Sequence, residues 1–220
     1  MANDASRGDN PWFNRLAHDL RSPLTSLQTA AYLLRTDPGG SNTKELADIV
    51  VRQSQRMARM IDELDDWSRA AQRRLVDRSE RVDLAGVIDM AVGAVHGCTI
   101  DPRYGDGTQD AVVLGDSGRL SQLFRTLVEQ VWARDSVGAR VDVARSDGAA
   151  VVVFSDHGPA LDDDTRMRLL TAPQVPPPDE GLGLRLLIAK AIVEAHEGTL
   201  AVEGPDASTS QRFRCVLPLA

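Results

Sequence analysis

Cysteine is nearly absent. Cys98 and Cys215 stand in distant segments with no CxxC or Cys/His spacing, which argues against a structural metal site or a disulfide framework and leaves both as small apolar packing residues. Positive charge is not in excess either. The net charge of −7 and a pI near 5.1 exclude the basic face that a nucleic-acid or anionic-membrane partner needs. Aromatic residues make up only 4%, and Trp12, Trp67 and Trp132 fall in separate segments, so no platform for base stacking is present and each is expected to pack. The longest apolar runs, such as Ala149–Phe154, fall well short of the roughly 18 residues that cross a bilayer. The start, Met1–Asn10, is polar, without a signal-peptide core. These absences lead to the expectation of a cytoplasmic chain with no membrane segment. At 42% apolar composition its 220 residues can bury one good core or two small ones.

Periodicity divides the chain. Apolar positions at Phe13, Ala17, Leu20, Leu24, Leu27, Ala31 and Leu34 alternate steps of four and three, the seam of a bundled helix. Asp37-Pro38-Gly39-Gly40 ends it in a turn. Asn42, three residues before Glu45, resembles a capping box and opens a second seam: Leu46, Val50, Gln53, Met57, Met60, Leu64, Trp67 and Ala71. The extra apolar residues Leu16, Ile49 and Ile61 widen both stripes beyond what two helices cover. Pairing two hairpins into a four-helix homodimer would bury them.

After the charged stretch Gln72–Arg81 the texture changes, placing a domain boundary near Glu80: a helical hairpin over 10–78, then a mixed domain over 80–220. In the second part the pattern predicts helices over Ala85–Val95, Leu120–Arg134 and Leu182–His196. Strands are predicted over Ala111–Leu114, Ala139–Ala144, Ala149–Ser155, Thr199–Glu203 and Arg212–Leu217, with a turn at Ser146-Asp147-Gly148. The fold class is α+β, a dimeric helical hairpin followed by one sheet covered by helices.

The run His18-Asp19-Leu20-Arg21-Ser22-Pro23-Leu24 resembles the H-box of bacterial histidine kinases. His18 follows a seam residue and so sits beside the core stripe, where a large partner domain can reach it. Taken alone, it reads equally as a surface histidine beside an aspartate. The resemblance implies that His18 is the phosphoacceptor, Asp19 the general base, and Ser22 a residue that positions water for dephosphorylation, although a back-bonded serine is an equal reading of Ser22. Pro23 removes one helical hydrogen bond and should bend the helix.

The second part resembles the GHKL-type ATP-binding domain of the same family, in the expected order. Asp156-His157-Gly158 stands where the family's aspartate binds the adenine amino group. Gly181-Leu182-Gly183-Leu184 matches a glycine box at the start of a helix, where backbone amides approach phosphate. Gln130 takes the place of the magnesium-binding asparagine and offers the same amide oxygen on a longer stem. The cofactors implied are ATP and Mg2+, with Gln130, Asp156, Gly158, Gly181 and Gly183 as nucleotide ligands. Thr126, Ala133, Ala160 and Asp179 depart from the pattern, and the intervening lid, Ala172–Glu180, is short and proline-rich. Glu129 and Glu194 are expected to face solvent, and His196 to be structural.

Two readings follow. In the first the chain is a two-component histidine kinase that autophosphorylates His18 from ATP and passes the group to a receiver-domain aspartate. In the second it is a phosphotransfer relay or phosphatase module whose ATP-like domain does not autophosphorylate.

Overall fold

The computed structural model describes residues 11–76, 78–205 and 210–220, with side chains from Asn14 onward. The packing expected of Trp12 and Phe13, and the polar stretch Met1–Asn10, lie outside the described side chains and residues. The chain divides into two compact units. One holds the described residues up to Asp65 together with Val175–Gly183; the other holds Asp66–Gln174 and Leu184–Ala220.

In the first unit, α1 (Pro11–Thr36) and the greater part of α2 (Thr43–Ala71) are joined by the turn at Asp37–Asn42. The Gly40 carbonyl accepts from the amide and the hydroxyl of Thr43, which closes the turn. α1 runs unbroken through Pro23, whose ring is buried. Along α2 the predicted seam is the covered face as far as Trp67: Leu46, Val50, Gln53, Met57, Leu64 and Trp67 are half-buried and Met60 is fully buried, whereas Ala71, its last member, is exposed. Leu24, Leu33, Val51 and Ile61 keep large exposed apolar surfaces within a single chain.

The second unit carries β1 (Glu80–Asp83), α3 (Leu84–Gly93), β2 (Arg103–Tyr104), β3 (Val112–Gly115), α4 (Ser117–Arg134), β4 (Arg140–Ser146), β5 (Ala149–Asp156), α5 (Asp163–Arg168), α6 (Arg185–Ala195), β6 (Thr199–Glu203) and β7 (Gln211–Pro218). The main sheet has the order β2-β4-β5-β7-β6, antiparallel except for the short β2–β4 pair, and β1 pairs with β3 in a separate ribbon. The β4–β5 turn falls at Asp147-Gly148, both with positive φ, as the sequence suggested. β5 is central, which accounts for its almost uninterrupted apolar run. α4 packs between α3 and α6 and against β5, with the Phe124 and Phe154 rings stacked at 6.0 Å. Cys215 lies wholly inside this core, where burial pushes its thiol up to about 12.

Differences from the sequence reading include helix limits and short elements. α6 begins at Arg185, not at Leu182, so the glycine box is the loop ahead of the helix. The apolar side chains of Leu182 and Leu184 imitate helical periodicity because both are buried in that loop. β2 and α5, with two and six residues, are too short to leave a period in the sequence.

His196 caps the C-terminal end of α6. Its Nδ1–H donates to the Ile192 carbonyl at 2.7 Å, and Nε2 accepts from the amide of Asp116 at 3.0 Å, joining this helix end to the start of α4. A Cβ on Gly115 would fall inside the His196 ring. Gly115→Ala is therefore expected to displace the imidazole and cost about 1–3 kcal/mol of stability in chemical denaturation. Gly93→Ala, at a helix end with open space around it, should be neutral or mildly stabilising. Equal midpoints for Gly115→Ala and wild type would refute this role of the close approach.

Candidate functional site

Within the first unit, His18 projects from α1 with 82% of its side chain exposed. Asp19 lies beside it, with Oδ1 at 3.2 Å from His18 Nδ1, while Asp19 Oδ2 accepts from Arg15 Nε at 3.3 Å. A carboxylate against Nδ1 favours the tautomer that carries its proton there, so Nε2 presents the lone pair. Ser22 is exposed one turn further on. It shares with His18, Arg21, Thr25 and Ser26 an open groove along the helix. The three H-box residues therefore lie on adjacent turns of one helix, as expected from their spacing.

The glycine box also belongs to this unit. The Gly181 amide donates to Asp179 Oδ1 at 3.1 Å, and the Leu182 amide donates to Glu63 Oε2 at 3.1 Å. Glu63 is on α2 and only 7% exposed. The Glu180 carbonyl accepts from Arg56 Nε at 2.9 Å. Two consecutive amides of the loop thus donate to carboxylate oxygens of the chain itself. A Cβ on Gly181 would overlap the Glu63 carboxylate.

Within the second unit, Asp156 ends β5 with no exposed surface. Its Oδ1 accepts the Gly158 amide at 2.9 Å, and its Oδ2 accepts Arg134 Nε at 3.0 Å. Arg134, the last residue of α4, also donates through Nη2 to the Pro159 carbonyl at 2.5 Å. A Cβ at 158 would press on the Arg134 backbone carbonyl, 3.0 Å away, a tight approach that favours glycine there. The neighbouring Asp135 accepts from the amides of Val137 and Gly138 through Oδ1, at 3.1 and 2.9 Å, and from the His157 amide through Oδ2 at 3.2 Å. The Gly138 amide, followed by those of Val137 and His157, holds the Asp135 carboxyl below its ordinary range.

Gln130 lies on α4 and donates from Nε2 to Gln174 Oε1 at 3.3 Å. Glu129 does not simply face solvent: its carboxylate pairs with Arg185, the first residue of α6, and stands 4.0 Å from Arg125. Glu194 is exposed and reaches Lys190 at 3.8 Å. The sequence reading assigned nothing to Arg134, Asp135 or Glu63. Among the described residues no group of three or more His, Cys, Asp or Glu side chains is arranged to hold a metal, and no helix is long and apolar enough to cross a membrane.

The order of these features matches known proteins. Residues 12–73 match the His Kinase A (phospho-acceptor) domain, and residues 115–220 match the histidine kinase-, DNA gyrase B- and HSP90-like ATPase domain. The chain belongs to the histidine kinases. Its two units carry a transmitter core of that family. It is 30% identical to the signal transduction histidine-protein kinase/phosphatase MprB of Mycobacterium tuberculosis, over 86% of this chain and 40% of that protein. It is 26% identical to the sensor protein SphS of Synechococcus elongatus, over 98% of this chain and 56% of that protein. The chain thus spans about half the length, or less, of these curated relatives. The fold is shared with the Acinetobacter baumannii histidine kinase AdeS, at a TM-score of 0.70 and 18% identity, covering 92% of this chain and 98% of that one.

The depressed Asp135 carboxyl gives a pH signature. A carboxylate whose folded pKa lies below its unfolded value of about 3.9 contributes stability in full above that value and loses it as pH falls through the folded pKa. The stability difference between wild type and Asp135→Asn should be present in full at about pH 5 and shrink below about pH 4 in denaturant titrations. A difference that does not change with pH would show that the charge plays no part.

Proposed function

We propose that the chain is a two-component histidine kinase core that transfers the γ-phosphoryl group of ATP to His18 and then to a receiver-domain aspartate. The observation that carries this reading is the exposed His18 imidazole, with Asp19 against one ring nitrogen and the other open to solvent. His18 Nε2 forms the N–P bond, the bond between the γ-phosphorus and the β,γ-bridging oxygen breaks, and ADP leaves with that electron pair. Asp19 takes the Nδ1 proton from the imidazolium.

Asp156 and Gly158 are the base-binding residues of this reading, and Gly181 and Gly183 the phosphate-binding ones. The Gln130 nitrogen donates to Gln174, so its carbonyl oxygen is the atom that would hold Mg2+. A single neutral oxygen suits an ion that takes its other ligands from phosphates and water. Magnesium would neutralise charge developing on the phosphates; positioning falls to the protein. The domain division near Glu80 belongs to this reading, as does the water-positioning role of Ser22 in dephosphorylation.

The partners are a second copy of the chain and a receiver domain. The exposed apolar residues Leu24, Leu33, Val51 and Ile61 support the first, since stripes this wide on a hairpin call for a four-helix bundle. A solved structure sharing this fold, the histidine kinase ThkA, is in complex with the response regulator protein TrrA; it has a TM-score of 0.70 and 17% identity and covers 96% of this chain and 62% of that one. Light scattering should give twice the chain mass, and Ile61→Glu should reduce it to a single copy.

A relay without autokinase activity is the second reading. The carboxylates of Glu63 and Asp179 on the glycine-box amides favour it, because phosphate must displace them. Incubation with magnesium and γ-labelled ATP separates the two. Acid-labile label on wild type that is lost in His18→Ala is the expected result. Failure to take label from ATP, with label reaching His18 from a phosphorylated receiver, would establish the relay instead.

A further inference from the structure

The surroundings of Asp156 hold more than a carboxylate. Arg134 is tied at two points, to Asp156 Oδ2 and to the Pro159 carbonyl, and its side chain is only 19% exposed. Directly opposite Asp156 in the β5–β7 register stands Gln211. Opposed residues of an antiparallel pair project from the same face. Gln211 is 1% exposed, and its Oε1 meets no hydrogen-bond partner among the described residues. A buried acceptor without a partner is open to a donor supplied from outside the chain. Beside Asp156 the structure therefore gathers a fixed cationic donor and an unsatisfied acceptor.

These groups bear on which base fits. Adenine presents an amino donor at its 6-position, which a carboxylate accepts. Guanine and hypoxanthine present an oxo acceptor there and an N–H at the adjacent ring nitrogen. Against a lone carboxylate the oxo group meets another acceptor, and a buried site built for one pattern rejects the other. A guanidinium beside the carboxylate changes the balance. The oxo oxygen finds a donor in Arg134, and the ring N–H finds an acceptor in Asp156 or Gln211. Adenine's amino group must instead share Asp156 Oδ2 with Arg134.

We propose that Arg134 is a base-selecting residue that abolishes discrimination against 6-oxopurines, so that the chain takes guanosine and inosine triphosphates about as well as ATP. The inference rests on the nucleotide-binding reading above, but not on phosphoryl transfer.

The test is calorimetric binding of ATP, GTP and ITP, each with magnesium, to the whole chain. For wild type the three dissociation constants should agree within about threefold, whereas ATP bound more than about thirtyfold more tightly than GTP would overturn the proposal. Arg134→Met should restore preference for adenine by at least about tenfold, and Arg134→Lys, which keeps a donor for the oxo group, should retain GTP binding. An unchanged ATP-to-GTP ratio in a folded Arg134→Met protein also overturns it. If Arg134→Met does not fold, the wild-type comparison still decides. Binding with the expected ratios but no label on His18 defeats only the kinase reading. Absence of binding by all three triphosphates defeats the nucleotide reading and this inference together.

Discussion

A carboxylate with no access to water must have every charge-bearing oxygen answered, and at Asp156 that demand organises the second unit. β5 runs in the middle of the sheet, and its last residue is fully buried. One oxygen is answered by the amide two residues on, in a tight turn at Gly158. The other is answered by the last residue of α4, which fixes where that helix stops. Asp135 then binds the His157 amide and the two amides of its own turn, joining the end of α4 to the end of β5. Removing Arg134 would leave a charge in the core with one hydrogen bond, whereas removing a surface arginine would cost little.

His18 follows the opposite logic. Its imidazole projects from α1 into solvent, with Asp19 against one ring nitrogen. Between these extremes stands the glycine-box loop, whose amides are satisfied by Asp179 and Glu63. Amides that already hold carboxylates are satisfied without ligand, so phosphate gains only the difference between two anions there. Under the proposed nucleotide reading, two separate elements would set binding: Arg134 beside Asp156, and the carboxylates of Asp179 and Glu63 on the glycine-box amides.

Much of this could be read directly in the residues. The two seams, the Asp-Pro-Gly-Gly turn and the Asp147-Gly148 hairpin are local patterns, and each corresponds to an element described above. His18 and Asp19 are neighbours in sequence, so their contact followed from one helix. What escaped was nonlocal or short. Glu63 meets Leu182, and Glu129 meets Arg185, because the fold brings them together; nothing at either position signals its partner. Arg134 reads as an ordinary basic residue at a helix end, a placement that the helix dipole alone explains. Only the burial of Asp156 makes it specific. The start of α6 was misplaced because apolar loop residues and apolar helix residues look alike until burial is known.

The central claim is that phosphoryl groups enter this chain at Nε2 of His18, because Asp19 holds the proton on Nδ1. The direct measurement is nitrogen and phosphorus NMR of the phosphorylated chain with 15N-labelled histidine. The account predicts a single phosphorus coupled to Nε2 of His18 and none coupled to Nδ1. Phosphorus on Nδ1, or on any residue other than His18, would contradict it.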